Sequence, residues 1–218
     1  MKIYRTSDGY RFYLQEDGSL TDSINIEDSD MIYPSLEDLF EDEEPNLIGN
    51  TDCEMINKMT PGKYYIGDPC YVLDHDILDR MFIPYEKQRE KNNTFIDHTG
   101  YCIDDRDRHV FQFEGYNYSI ISTLIGDGRF NDGTGKEYFV DSGTLSCIPM
   151  ELIEKYPYIN RLGRSETKFT IDNGYGHIVT LTEDFSIQYE DNLDDYIHVV
   201  IGKTKINIPA WYFKTNHK

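Results

Sequence analysis

Short β-favouring segments recur through the C-terminal half of the chain, and glycine, aspartate or asparagine lies between many of them. The segments are residues 110–113, 116–124, 137–140, 144–148, 177–181, 185–189, 197–201 and 205–208. Alternation of apolar and polar side chains is typical of half-buried strands, and Gly and Asx residues are typical of tight turns. The sequence therefore predicts a mainly β fold, either a β-sandwich or a curved, barrel-like sheet, with a few short helices. An α+β fold is the alternative.

Composition and charge together predict two parts in the 218-residue chain. Hydrophobic residues make up 39% of the chain and aromatic residues 14%, which is enough for a substantial core. We expect residues 1–45 to form an acidic hairpin followed by a short helix, and residues 46–218 to form a β-rich main domain. The expected boundary follows a run of acids and lies at Pro45.

The N-terminal part carries the local signals of a hairpin and of one helix. Two Asp-Gly turns flank the β-favouring residues 10–14. Residues 34–40 predict a short helix with Ser35 as its N-cap, because acids in the first turn favour a helix start. Leu36, Leu39 and Phe40 would then share one side. We expect that side to dock on the main domain; a surface kept open for a partner is the alternative.

Negative charge is the most unusual global property of the sequence. The formal net charge is −19, and from Phe12 through Asn57 there is no lysine or arginine. Such a field repels nucleic acid and anionic membranes and attracts basic surfaces. Solubility alone would also explain it. The expected partner-binding residues are the acids in and after the predicted helix: Glu37, Asp38, Glu41, Asp42, Glu43 and Glu44.

The middle of the chain predicts further elements. Residues 61–73 predict two short strands separated by a Gly-Asp-Pro turn. A helix is expected from Asp74 to just before Pro84, followed by a charged surface loop over residues 85–93. Residues 125–135 are expected to be turns, and a short helix is expected to begin near Pro149.

Several carboxylates and imidazoles are candidates for a metal-dependent hydrolytic site. They are Asp68, Asp127, Asp132 and Asp141 with His98, His109 or His177. Each aspartate lies in a turn with glycine or proline, where aspartate commonly accepts hydrogen bonds from backbone amides. We therefore predict no catalytic residue, no metal and no cofactor. Four separated cysteines without a C-x-x-C pair predict reduced thiols, with Cys70 buried in a strand.

Three motifs carry a resemblance to a known group of proteins. They are Gly-Asp-Pro-Cys-Tyr at residues 67–71, Gly-Asp-Gly-Arg-Phe at 126–130 and Val-Asp-Ser-Gly at 140–143. With these motifs the chain resembles a family often encoded by tailed bacteriophages, over roughly the middle 40% of its length. The resemblance implies a β-rich core and a viral context but no activity.

The sequence favours a binding protein over an enzyme. Under the viral context, we expect an accessory protein in the host cytoplasm that inhibits a host protein with a basic surface, through an acidic, DNA-like face. We expect no direct contact with nucleic acid and no membrane span, and the oligomeric state stays open. A metal-dependent hydrolase acting on a nucleotide-like signal and a virion or scaffold component are the alternatives.

Overall fold

The computed structural model describes residues 2–6, 10–22, 29–40, 45–50, 54–55, 58–91, 110–160, 162–191 and 196–209. Within these residues the strands form three sheets, and every pairing between strands is antiparallel. Helices are few and mostly short. The expected mainly β fold class is therefore confirmed.

The first sheet belongs to the N-terminal part of the chain. Its strands are β1 (Lys2–Arg5), β2 (Arg11–Leu14), β3 (Leu20–Thr21), β4 (Ile32–Tyr33) and β5 (Asn46–Asn50), in the order β4-β3-β2-β1-β5. The first four strands form a meander, which confirms the predicted hairpin. Because β5 pairs with β1, residues 46–50 join this sheet, although the expected boundary lies just before them. The division into two domains stays a prediction.

Helix α1 (Leu36–Leu39) packs on this N-terminal sheet. Ser35 caps it as predicted, because the backbone N–H of Asp38 donates to the Ser35 hydroxyl at 3.2 Å. Phe40 is buried with Tyr4, Phe12 and Leu20, and Leu36 and Leu39 pack around them. The expectation that this apolar side docks on the main domain is therefore wrong: the N-terminal sheet has a small core of its own.

The remaining strands form two larger sheets. In chain order they are β6 (Glu54–Met55), β7 (Gly62–Gly67), β8 (Val110–Phe113), β9 (Tyr116–Ser122), β10 (Gly128–Asp132), β11 (Glu137–Val140), β12 (Thr144–Pro149), β13 (Gly176–Leu181), β14 (Ile187–Asp191), β15 (Tyr196–Ile201) and β16 (Thr204–Pro209). The six-stranded sheet has the order β13-β7-β12-β9-β8-β6. The five-stranded sheet has the order β11-β10-β16-β15-β14.

The main core lies between these two sheets. Ile66 and Cys147 of the six-stranded sheet share one buried cluster with Tyr138 and Val199 of the five-stranded sheet. The opposite face of the six-stranded sheet is covered by α2 (His75–Lys91) and α3 (Met150–Lys155), which bury a second cluster with it. The six-stranded sheet is thus buried on both faces. This explains why every residue of β12 is buried and why its sequence shows little alternation.

Helix α2 differs from its predicted extent. It continues through Pro84 to Lys91, so the surface loop expected over residues 85–93 is wrong for residues 85–91. A proline inside a helix removes one hydrogen bond and crowds the preceding turn. Here Met81 and Tyr85, on either side of Pro84, are both buried against the sheet. Their burial on one continuous helix offsets the local cost of the proline.

Three other elements depart from the sequence prediction. The segment after β7 is a 3-10 turn (Pro69–Tyr71) and not a second strand. Strand β10 occupies part of the expected turn cluster, because Phe130 is buried and the strand pairs with β11 and β16. Helix α4 (Glu166–Asp172) was not expected. In the described part of the chain, no helix has both the length and the apolar character needed to cross a membrane.

The Tyr65 side chain of β7 packs directly against Gly176 of the neighbouring strand β13. A Cβ at Gly176 would lie 2.4 Å from the Tyr65 hydroxyl oxygen. We therefore expect Gly176→Ala to lower the free energy of unfolding by about 1–3 kcal/mol, the usual cost of overpacking. Urea denaturation measures this difference. Gly133→Ala is the matched control, since a Cβ there meets no atom within 4 Å; equal stability of the two variants would contradict the packing argument.

Candidate functional site

The predicted partner-binding acids divide between described and undescribed residues. Glu37 and Asp38 lie in the first turn of α1, and both are exposed. The Ser35 hydroxyl donates to the Asp38 carboxylate at 2.5 Å, so Asp38 also stabilises the helix start. Glu41, Asp42, Glu43 and Glu44 lie outside the described residues. The structure thus places two of the six acids, side by side, on the solvent side of α1.

A second group of candidate residues lies where the chain crosses between the two large sheets. Strand β9 of the six-stranded sheet leads into β10 of the five-stranded sheet through residues 123–127. Strand β11 returns to β12 of the six-stranded sheet through residues 141–143. The second sequence motif begins in the first crossing and continues into β10, and the third motif begins at the end of β11 and fills the return crossing. The first motif follows β7 and contacts the return crossing directly.

Asp68 makes that contact with a fully buried carboxylate. One oxygen, Oδ2, accepts from the backbone N–H groups of Asp141 at 2.6 Å and Ser142 at 2.8 Å. The other, Oδ1, accepts from the Cys70 N–H and the Ser142 hydroxyl, each at 2.9 Å. Four donors around one buried carboxylate explain how a charged group is tolerated in the interior.

The two crossings are also bonded to each other. The Thr123 N–H and hydroxyl both donate to the carbonyl of Gly143, at 2.9 Å and 3.1 Å. A Cβ at Gly143 would lie 3.5 Å from the Gly126 Cα, so the two segments nearly touch. Gly143 has φ +66°, a conformation that glycine adopts without strain. The three motifs therefore form one contiguous junction.

Cys70 and Tyr71 lie at this junction, and their protonated side chains do not suit nucleophilic chemistry. Cys70 is partly exposed in the 3-10 turn, so the expectation that it is buried in a strand is wrong. Burial and the negative charges of Asp68, Asp141 and Asp127 raise the pKa of the Cys70 thiol far above its usual value. Burial and the hydrogen bond to Asp141 likewise raise the pKa of Tyr71. Both groups stay protonated at neutral pH, whereas a reactive cysteine needs a thiolate.

The other candidate metal ligands either make hydrogen bonds away from Asp68 or lie outside the described residues. Asp132 accepts from the N–H groups of Thr134 at 2.8 Å and Lys136 at 3.1 Å within the β10–β11 hairpin. His177 Nε2 lies 2.7 Å from the carbonyl of Glu137. His98 and His109 lie outside the described residues. Among the residues that the structure describes, no three His, Cys, Asp or Glu side chains are grouped as a metal site would require.

Four aromatic side chains next to the junction form a feature that the sequence did not reveal. Tyr175 contacts three rings at centroid distances of 4.7, 5.5 and 6.1 Å, which belong to Phe139, Tyr71 and Phe169 respectively. We call these four residues the aromatic shelf. Phe169 and Tyr175 are six residues apart, but Tyr71 and Phe139 come from distant parts of the chain, so no local pattern connects the four. The Tyr71 hydroxyl donates to Asp141 Oδ2 at 2.6 Å, which ties the shelf to the junction.

Comparison with known proteins adds no identification. No protein-family model, no curated protein and no solved structure matches this chain.

The contacts of Asp68 predict a structural role. Asp68→Asn replaces one acceptor oxygen by an NH2 group, which faces at least one backbone N–H whichever way the amide is turned. Each buried donor that loses its acceptor costs about 1–3 kcal/mol, so we expect a loss of about 2–4 kcal/mol in the free energy of unfolding. Chemical denaturation measures it. Asp127→Asn, at an exposed aspartate of the same junction, is the control; a similar small loss in both variants would refute the role of Asp68.

Asp132 predicts a pH dependence of stability. Burial opposes its ionisation, but hydrogen bonds from Thr134, Lys136 and Tyr138 lower the pKa of Asp132 below its usual value. A carboxyl with a lowered folded pKa stabilises the fold above its unfolded pKa of about 3.9, and this contribution disappears as pH falls through the folded pKa. Asp132→Asn should therefore cost about 1–2 kcal/mol at pH 7 and progressively less below about pH 4.

Denaturation at several pH values measures this difference. Asp184→Asn, at an exposed position, serves as the control for loss of one negative charge. A cost for Asp132→Asn that stays constant down to acid pH would contradict the argument.

Proposed function

We propose that this protein binds and thereby inhibits a protein with a basic surface, and that its N-terminal sheet supplies the acidic contact face. The observation that carries the proposal is the orientation of α1. Its apolar side is fixed in the small core with Tyr4 and Phe12, and this leaves Glu37 and Asp38 exposed to solvent. Glu37 and Asp38 are therefore attached to a folded scaffold. We define the acidic face as these two acids and the exposed Glu16, Asp17 and Asp30, together with the four acids that follow α1 in the sequence: Glu41, Asp42, Glu43 and Glu44.

Charge complementarity supports this choice of partner. Positive residues of the N-terminal part before Phe12 are Lys2, Arg5 and Arg11, and none follows until Lys58. Such an uncompensated field attracts a basic protein from solution and raises its association rate, and salt weakens the attraction. The same field repels phosphate groups, so direct binding of nucleic acid is disfavoured.

Two exposed apolar side chains of the N-terminal part provide contact area in addition to the acids. Tyr10 is 58% exposed and Ile32 is 55% exposed. Interfaces commonly combine charged steering with a few apolar anchors, and tyrosine is frequent among such anchors. The acidic face with Tyr10 and Ile32 thus has the two components that capture of a basic protein requires.

The biological setting follows from the sequence resemblance. The three motifs of the junction resemble proteins of tailed bacteriophages, and a basic host protein that itself holds DNA would fit a face that imitates the charge of DNA. We therefore propose a phage accessory protein that acts in the host cytoplasm. A metal-dependent hydrolase is less favoured, because the Asp68 carboxylate is bonded to four protein donors.

A charge-reversal experiment tests the acidic face. The test variant changes Glu37, Glu41, Asp42, Glu43 and Glu44 to lysine and keeps Asp38, which stabilises the start of α1. Each change adds two positive charges, so five changes add ten and bring the net charge from −19 to −9. The control variant changes five exposed acids elsewhere to lysine, with the same net charge: Glu151, Glu154, Asp172, Glu183 and Asp184.

Tagged wild-type protein and both variants are used for affinity capture from a nuclease-treated bacterial lysate over a salt series. Mass spectrometry identifies the captured proteins. We expect one stoichiometric, salt-sensitive partner with wild type and with the control variant, and a loss of at least tenfold with the test variant. Capture that survives the test variant, or that is lost equally with both variants, would contradict the proposal.

A further inference from the structure

The aromatic shelf is an organised surface that the acidic face does not use. Tyr71 follows β7, Phe139 belongs to β11, Phe169 to α4, and Tyr175 to the connection between α4 and β13. The backbone joins these segments, because the Phe139 N–H donates to the Tyr175 carbonyl at 3.2 Å. The Thr170 hydroxyl of α4 also donates to the Tyr71 carbonyl at 3.3 Å. The four rings are therefore held in place by bonded backbone.

The shelf is accessible from solvent. Phe169 is 55% exposed, and the other three rings are half-buried. A phenylalanine this exposed gains little from the contacts it makes with its own chain, and aromatic residues are enriched where proteins bind other molecules. Three rings held by bonded backbone next to the exposed ring of Phe169 form a surface suited to contact with a ligand group.

Negative charge lies next to the rings. Asp141 accepts a hydrogen bond from the Tyr71 hydroxyl and is itself exposed, as is Asp127. Both carboxylates contribute, after burial, to the raised pKa of Cys70, so their field reaches the turn that carries Tyr71. The faces of aromatic rings add further negative potential. Among the residues that the structure describes, positive groups near the rings include Arg129, which already lies against Phe139, and Lys168, which precedes Phe169 in the sequence.

One ring of the shelf, that of Phe139, already contacts a positively charged side chain, Arg129. Its guanidinium carbon lies 4.3 Å from the centroid of the Phe139 ring, within the range of a cation–π contact. The rings of Phe169, Tyr175 and Tyr71 have no cation–π contact among the described residues. Tyr71 is bonded to the Asp141 carboxylate and its ring lies 5.5 Å from that of Tyr175, so a second cation at these rings would meet both a ring face and a nearby negative charge.

We infer that the aromatic shelf binds an arginine or lysine side chain of the partner protein, in contact with Phe169 and Tyr175 and near the carboxylate of Asp141. This inference rests on the proposed function, because it takes the partner to have a basic surface. The aromatic shelf is then a second contact with the partner, far from α1 in the sequence, and it recognises a positively charged side chain. An anionic or nucleotide ligand would be repelled by Asp141 and Asp127.

A titration with small peptides tests the inference on the full chain. The probe is acetyl-Gly-Arg-Gly-amide, and its control is the same peptide with citrulline, which has nearly the shape of arginine but no charge. Ring carbon–proton NMR signals of Tyr71, Phe169 and Tyr175 are followed during each titration. We expect saturable shifts of these signals with the arginine peptide and much smaller shifts with the citrulline peptide.

Two variants assign the binding to the shelf. Phe169→Ala should weaken the arginine peptide about three- to tenfold, as loss of one cation–π contact predicts. Tyr196→Ala removes an aromatic ring that is also exposed, at 42%, but lies on β15, three strands away from the β11 strand that carries Phe139. It should leave the affinity unchanged. Equal shifts with both peptides, no saturable shift of the ring signals, or equal affinities of wild type and Phe169→Ala would each overturn the inference.

The two proposals fail separately. If the lysine variant at Glu37 and Glu41–Glu44 loses the partner while the arginine peptide leaves the shelf unaffected, the acidic face stands and this inference is wrong. If the arginine peptide binds the shelf while that variant still captures the partner, the shelf stands and the role of the acidic face is wrong.

Discussion

The hydrogen bonds of the buried Asp68 carboxylate are the interaction on which the arrangement of the two large sheets depends. The carboxylate bonds the turn after β7 to the segment where the chain returns from the five-stranded sheet to the six-stranded sheet, over separations of 73 and 74 residues. A charge in the interior is stable only when donors surround it, and Asp68 has four. The position of the return crossing is therefore set by this carboxylate, and the core between the sheets depends on that crossing.

The junction gives the three sequence motifs a common physical meaning. Glycines at residues 126 and 143 allow the two crossings to approach, the aspartate and serine of the third motif meet Asp68, and the tyrosine of the first motif bonds to Asp141. These are structural tasks. We propose that binding uses other surfaces: the acidic face, whose helix packs on a separate small core, and the aromatic shelf, which shares Tyr71 with the junction. Substitutions at Glu37 or Phe169 can therefore alter binding without removing a contact of Asp68.

The sequence predicted the elements that local patterns determine. Ser35 at the start of α1 and the alternation in β15 and β16 depend on neighbours along the chain, and the structure agrees with both. Glu114 and Gly115, with φ of 49° and 83°, form the turn between β8 and β9, which correspond to the β-favouring segments 110–113 and 116–124.

The sequence failed where tertiary packing determines the outcome. Pro84 stays inside α2 because Met81 and Tyr85 are buried on both sides of it, and no local rule contains that information. For the same reason the aromatic shelf was not predicted, since its rings meet only after four segments have folded. The preference of Asp68 for turn hydrogen bonds was expected, but its reach to Asp141 and Ser142 was not.

Hydrogen–deuterium exchange of the protein alone and with its captured partner tests the central claim most directly, because it locates the contact without altering any residue. The claim is that a basic protein binds the acidic face carried by the N-terminal sheet. It predicts that the partner slows exchange across residues 29–40, where the amides of α1 and its flanks are described. Unchanged exchange in residues 29–40, together with protection confined to other segments, would contradict it.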